Sequence, residues 1–191
     1  MSATMPGQQG RNGMTDVKTL REQARRHIEE GAVTENYHAD REKVVELLNE
    51  ALATELVCVL RYRHDYFMAR GLDSKGAAAE FMEHATQELE HADRIAERIV
   101  QLGGEPRFNP DELTGRSHSE YRTGRTLQDA IRENLIAERI AVDSYREMIQ
   151  FLGDKDPTTR RMMEEILATE EEHADDLADL LGGEGGGARQ Q

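Results

Sequence analysis

Apolar side chains recur at three- and four-residue steps through four long stretches of this chain, the period of one α-helix face. In the first stretch Val44, Leu47, Leu48, Ala51, Leu52, Val59 and Tyr62 share a stripe that also carries one acidic residue, Glu55. The pattern predicts a helix from about Ala39 to Arg70, stopped by Gly71. A second helix is expected from an N-cap at Ser74 to Leu102, ahead of Gly103-Gly104, because Ser suits the cap and Gly the position past the end. Thr126 caps a third, which runs to Leu152 before Gly153. The fourth starts behind Asp156 with Pro157 at its first position, where the missing N–H would have had no partner anyway, and ends at Leu181.

Connection lengths set the topology. About four residues join helices one and two, and about four join three and four, so each pair is an antiparallel hairpin. The middle connection, residues 103–125, is long enough to travel the length of a bundle, and Pro110 to Leu113 suits a short helical turn on the way. Two hairpins with one long crossover make a ferritin-like four-helix bundle. Upstream, residues 1–14 are rich in Gly, Gln and Asn and read as disordered, and a short helix is expected from Thr15 to Glu30, stopped by Gly31. The resulting division is an N-terminal extension over 1–38, the all-α bundle over 39–181 and a disordered Gly-rich tail over 182–191.

The two hairpins also resemble each other. Glu55-Leu-Val-Cys-Val-Leu-Arg-Tyr62-Arg aligns with Glu138-Arg-Ile-Ala-Val-Asp-Ser-Tyr145-Arg at an offset of 83 residues. Glu88-Leu-Glu-His-Ala-Asp93 aligns with Glu170-Glu-Glu-His-Ala-Asp175 at an offset of 82. Residues three apart on a helix lie on one face, so each Glu-x-x-His aims a carboxylate and an imidazole at one point. A lone Glu-x-x-His in a chain with 38 acidic residues would read as solvated surface. Here Glu55 and Glu138 stand on apolar stripes (Leu52, Leu56 and Val59; Leu135, Ile136 and Ile140), where an unpaired carboxylate is costly. Two such glutamates and two Glu-x-x-His pairs constitute a di-iron or di-manganese carboxylate site.

Six oxygen and imidazole ligands (Glu55, Glu88, His91, Glu138, Glu170 and His173) favour iron or manganese over zinc, whose structural sites prefer thiolate and imidazole. Four carboxylates balance two divalent cations. Tyr62 lies two turns beyond Glu55 on the same face and can donate a hydrogen bond or an electron to the site, or serve as a core aromatic; Tyr145 occupies the equivalent place.

Composition narrows the classes. Net charge is −14, which opposes general nucleic-acid binding by the body of the protein and suits a cavity that attracts cations. The single cysteine, Cys58, excludes an intrachain disulfide and reads as a buried core thiol. No apolar run approaches the length of a membrane span, and the N-terminus lacks a signal-peptide hydrophobic region, so the cytoplasm is the expected compartment.

From about residue 42 to 181 the chain resembles bacterioferritin within the ferritin-like superfamily. The six residues match that family's ferroxidase ligands in order and type, and His91-Ala-Asp-Arg-Ile-Ala-Glu-Arg-Ile is similar as well. The resemblance implies that Glu88 and Glu170 bridge two irons, that Glu55 and His91 serve one and Glu138 and His173 the other, and that Tyr62 is the family's tyrosine beside the site. It departs where the family's haem-ligating Met is replaced by Leu89, so haem is not expected; Met82 lies seven residues earlier and is assigned to the metal-side stripe. It also departs after Leu181, where Gly182-Gly183-Glu184-Gly185 replaces the short fifth helix of the 24-subunit cages. The N-terminal extension and long middle connection look more like the 12-subunit DNA-protection miniferritins (Dps), although those usually place their ligands between subunits. A 12-subunit cage with intra-subunit sites reconciles the two.

The leading expectation is therefore a homo-oligomeric ferroxidase and iron-storage protein that oxidises Fe(II) with O2 or H2O2. A di-metal peroxidase or manganese catalase without a storage cavity is the alternative enzyme. A third is DNA binding through residues 11–27, where Arg11, Lys18, Arg21, Arg25 and Arg26 face only Asp16 and Glu22.

Overall fold

The computed structural model describes residues 14–69 and 74–185. The aperiodic stretch 1–13, Arg11, the Gly71 stop and the last tail residues, 186–191, lie outside the described residues. Among those described the chain is helical: α1 (Val17–Gln23), a 3-10 turn (Ile28–Glu30), α2 (Arg41–Met68), α3 (Lys75–Gln101), α4 (Pro110–Arg116), α5 (Leu127–Leu152) and α6 (Pro157–Gly185). The bundle consists of the α2–α3 and α5–α6 hairpins, with α2 against α5 and α3 against α6 across the centre.

Side-chain caps start three of the long helices or their connections. Asp40 accepts from Lys43 N–H ahead of α2, Thr126 from Asp129 N–H ahead of α5, and Asn109 from Asp111 N–H ahead of α4. Asp156 accepts from Thr159 N–H at 3.0 Å and holds Pro157 at the first position of α6. Gly103, at φ 74°, follows α3, and the Gly104 N–H returns to Ile99 O at 2.9 Å, closing the helix by a left-handed turn that glycine adopts without steric penalty.

The core divides in two along the bundle axis. At one end Val44, Leu48, Leu52, Ile95, Ile99, Met148, Met163 and Ile166 pack together; at the other Cys58, Tyr62, Phe81, Ala85, Ile131 and Leu177 do. Glutamates and histidines occupy the space between. The crossover runs along α2. Asn49 accepts from Arg107 N–H at 2.8 Å and donates to Glu105 O, Thr54 accepts from His118 N–H at 3.0 Å, and Arg61 donates to Glu120 O at 3.1 Å. Those α2 anchors span roughly 18 Å at 1.5 Å per residue, and Leu113 of α4 packs on Ala53 and Val57 between them.

Three features differ from the sequence pattern. The helix expected from Thr15 to Glu30 is instead α1 and a 3-10 turn, separated by His27 in the left-handed region at φ 48°. Asp16 is the N-cap of α1, and α1 buries no residue, so no packing compensates the cost of extending so short a helix. α6 continues to Gly185, past the expected end at Leu181 and into the stretch read as a disordered tail. Each added residue there closes one more backbone bond on a helix already nucleated. Finally, Ile136 is 46% exposed and Ile140 shares its outward face with Arg139 and Asp143, so neither forms the apolar surround of Glu138.

Candidate metal centre

Four helices each turn one face to the middle of the bundle. α2 contributes Glu55 and Tyr62, α3 Glu88 and His91, α5 Glu138 and Tyr145, and α6 Glu170 and His173; none of the eight is more than 4% exposed. The six residues proposed as ligands form two overlapping groups. Glu55, Glu88, His91 and Glu170 bring ligand atoms within 4.8 Å of one another, and Glu88, Glu138, Glu170 and His173 do the same. Glu88 and Glu170 belong to both groups. His91 Nδ1 lies 2.9 Å from a Glu170 oxygen, 3.3 Å from Glu55 and 3.7 Å from Glu88, and His173 Nδ1 lies 3.5 Å from Glu88 and 3.7 Å from Glu170.

These short separations are not hydrogen bonds. Glu55 Oε2, Glu88 Oε1, Glu138 Oε2, both Glu170 oxygens and both Nδ1 atoms are buried without a hydrogen-bond partner among the described residues. Each such atom carries a desolvation cost of about 1–3 kcal/mol or more, and all point at one another. Cations between them remove that cost, so the donor set fits two metal ions. A hydrogen bond fixes the orientation of His173: its Nε2–H donates to Gln87 Oε1 at 2.6 Å, leaving the Nδ1 lone pair facing the carboxylates.

Crowded and dry, two of the carboxylates, Glu88 and Glu138, hold protons. Burial and the adjacent Glu170 carboxylate keep Glu88 and Glu138 well above the usual carboxylate range. Glu170, though buried, is drawn down to about 2 by His173 and His91. Burial would lower His91, but the carboxylates of Glu170, Glu55 and Glu88 outweigh it and push the ring up to about 12. His173 rises for the same reason, with Glu170 its main partner.

The tyrosines cross between hairpins. Tyr62 of α2 donates to Glu138 of α5, and Tyr145 of α5 donates to Glu55 of α2. Tyr62 thus takes both expected places, packed in the core with Phe81 and bonded to a cluster carboxylate. Cys58 is buried in the same core. Met82 does not lie on the metal-side stripe of α3, which runs through Phe81, His84, Ala85, Glu88 and His91; it is half-buried, one face round, in line with exposed Leu89.

The sequence pattern missed His84. It is 1% exposed, its ring stacks on His173 with centroids 4.0 Å apart, and Nδ1 lies 3.3 Å from the Tyr62 hydroxyl. Burial and then the His173 ring hold it down to about 4. The signal was present in its spacing, one turn before Glu88 on the same face.

A ferritin-like domain model matches residues 45–184, nearly the whole bundle. The chain belongs to the ferritin-like family. It is 31% identical over 144 residues to the bacterioferritin of Mycobacterium avium, covering 73% of this chain and 84% of that one. Among solved structures, the dodecameric thioferritin of Bacteroides fragilis, a bacterioferritin-related protein, superposes with a TM-score of 0.72 at 32% identity, over 75% of this chain and 86% of its own. The Desulfovibrio desulfuricans bacterioferritin, with a diiron site seen in different catalytic states, does so with a TM-score of 0.66 at 26% identity, over 74% and 80%. The ferritin-like bundle here carries no helix among the described residues long and apolar enough to cross a membrane.

Proposed function

We propose that the protein is a ferroxidase and iron-storage cage, with Glu55, Glu88, His91, Glu138, Glu170 and His173 holding two irons inside each subunit. The observation that carries this reading is the set of buried, partnerless oxygen and Nδ1 atoms in two groups sharing Glu88 and Glu170. Shared residues are suited to bridging, while Glu55 with His91 and Glu138 with His173 suit one metal each. Two irons so held would supply the electron-transfer chemistry by which substrate Fe(II) is oxidised and O2 or H2O2 reduced. The protein's part is to hold six ligands with one charge balance, to orient His173 through Gln87, and to fix Glu138 and Glu55 by hydrogen bonds from Tyr62 and Tyr145. Manganese fits the same donors.

Storage requires a hollow assembly. Leu60, Phe67, Met68, Ile136 and Phe151 are exposed apolar side chains on the long helices, the kind of surface that subunit contacts cover, and the dodecameric relative supports a 12-subunit cage over a 24-subunit one. Leu89 offers haem no ligand. The N-terminal segment, with Lys18 exposed, is read as a subunit-facing element ahead of a DNA-binding one, and the compartment as the cytoplasm.

Two measurements test the reading. Native mass should fall near twelve times 21.6 kDa, with ferric iron retained in the particle; a stable dimer without stored iron would favour a di-metal peroxidase or catalase. In stopped-flow absorbance after Fe(II) addition, Glu88→Ala and Glu170→Ala should each slow oxidation by about 100-fold or more while the particle stays assembled. Wild-type speed in both would reject the di-iron centre.

A further inference from the structure

A second group of potential ligands lies outside the six-residue cluster. Glu80 and His84 stand one turn apart on α3, and Asp176 of α6 closes a triangle in which a ligand atom from each lies within 4.8 Å of the others. His84 is 1% exposed, whereas the Glu80 and Asp176 side chains are 38% and 47% exposed. The group therefore has one buried corner and two that meet solvent.

Hydrogen bonding decides which way the His84 lone pair faces. The Tyr62 hydroxyl gives its only proton to Glu138, so toward His84 it can only accept, and the proton it accepts is on His84 Nδ1 at 3.3 Å. In the neutral ring Nε2 then carries a bare lone pair. That atom is buried without a hydrogen-bond partner among the described residues, 3.5 Å from Asp176 Oδ2 and 3.8 Å from Glu80 Oε2. Three electron-pair donors converge with no proton between them.

The pseudo-symmetry supplies an independent contrast. At the offset of 82 that relates Glu88 to Glu170, Glu80 corresponds to Met162, His84 to Ile166 and Asp176 to Arg94. The equivalent corner of the other hairpin is thus apolar and basic, with Arg94 paired to Glu165. Repetition of the hairpin does not account for the triad.

We propose that Glu80, His84 and Asp176 form a separate, solvent-facing site for a divalent first-row transition metal, one imidazole away from the buried cluster. One nitrogen and two carboxylate oxygens suit Fe(II), Mn(II), Co(II) or Zn(II). Three protein ligands leave positions for water, so the ion exchanges, and the site stages metal on its way inward. The staging role rests on the reading of the inner cluster as a metal centre; the site itself does not.

Co(II) is the probe. Crystals of the assembled protein soaked in Co(II) are mapped by anomalous scattering, for wild type and for Glu80→Gln/Asp176→Asn, which keeps side-chain shape and leaves Tyr62 and the six inner residues untouched. Wild type should show a peak between Glu80, His84 and Asp176 besides those inside the bundle. The double variant should lose the outer peak alone, and equilibrium dialysis should read a loss of about one Co(II) per chain. Inner peaks without an outer one in wild type, or an outer peak that persists in the variant, would overturn the proposal and leave the inner centre standing. An outer peak with no inner peaks would uphold it and reject the proposed function instead.

Discussion

The two hairpins turn the same four side chains inward, Glu55, Tyr62, Glu88 and His91 from one and Glu138, Tyr145, Glu170 and His173 from the other, yet the approach to that shared set differs between them. The first hairpin has His84 stacked on the cluster and the crossover laid along α2. The second has Ile166 in place of His84, buried in the apolar core. Two like metals need two like ligand sets, so exchange of any inner residue is penalised in both halves. Nothing imposes the same symmetry on the approach to the site, which needs a polar opening on one side only. The difference separates what the chemistry requires twice from what it requires once.

The two ends of the bundle are anchored differently: at one, Asn134 of α5 donates to Asp65 of α2 at 2.7 Å, and at the other stands a buried ion pair, whose loss should give the largest effect on stability. Arg98 near the end of α3 donates to Asp156 at the α5–α6 turn at 3.0 Å, and its Nε donates to Thr159 at 2.8 Å, while Tyr37 donates to Asp156 at 2.8 Å. By the same offset Asp156 corresponds to Ser74 and Arg98 to Leu180, so this ion pair is not repeated by the hairpin symmetry. Asp156→Asn leaves a buried guanidinium without its counter-charge and should cost about 3 kcal/mol, read from denaturant unfolding. Against its burial, hydrogen bonds from Thr159 and Tyr37 and the Arg98 charge hold the Asp156 carboxyl below its ordinary range. A lowered pKa contributes stability that is present above the unfolded value, about 3.9, and fades as pH falls through the native one. The wild-type Tm should therefore drop in acid more steeply than that of Asp156→Asn; parallel curves would show that the pair is not what joins the hairpins.

What the sequence makes legible follows from which interactions are local. The Glu-x-x-His spacing and the caps Thr126 and Asp156 depend on neighbours within one helix turn, which periodicity reports, and the repeat is read by aligning the chain with itself. His84 escapes because its meaning comes from Tyr62 on α2 and from Asp176 and His173 on α6. Local spacing puts it on the cluster face, but tertiary contact alone makes it more than a core histidine. The break between α1 and the 3-10 turn depends on the absence of packing against α1, and the outward turn of Ile136 depends on where α5 meets its neighbours. The continuation of α6 into glycines sets cooperative extension against intrinsic propensity, which composition alone does not weigh.

Both hairpins contribute one carboxyl that holds its proton well above the ordinary range, Glu88 and Glu138, and His91 is held up to about 12. On the proposed reading the metal-free cluster would bind more protons than the filled one, since bridging carboxylates and a ligating Nδ1 would have to give theirs up. Raising the pH therefore favours metal. Each net proton released steepens affinity by about tenfold per pH unit, so Mn(II) isotherms should tighten as the pH is raised through neutrality. Calorimetry in buffers of different ionisation heats counts the protons directly. A pH-independent isotherm would mean that the empty cluster is fully ionised and that the two halves share no protons.

The smallest effect bears most directly on the asymmetry. Tyr62→Phe and Tyr145→Phe each remove one hydroxyl from a buried site and each strip a donor from one glutamate, Glu138 or Glu55. In a symmetric pair of hairpins the two costs would be equal. Tyr62 also accepts from His84 Nδ1, and its loss leaves that buried N–H without the partner it has now; at the matching position beside Tyr145 stands Ile166, which has no polar atom to strand. Tyr62→Phe should therefore be the more destabilising by about 1 kcal/mol, the net worth of one neutral hydrogen bond. Tm at matched protein concentration, compared among the wild type and the two variants in the metal-free state, measures the difference, and adding His84→Leu to each variant closes a double-mutant cycle. The coupling should be confined to Tyr62. If Tyr145 couples to His84 as strongly, the asymmetry lies in global packing, and the His84–Tyr62 contact has no energetic part in it.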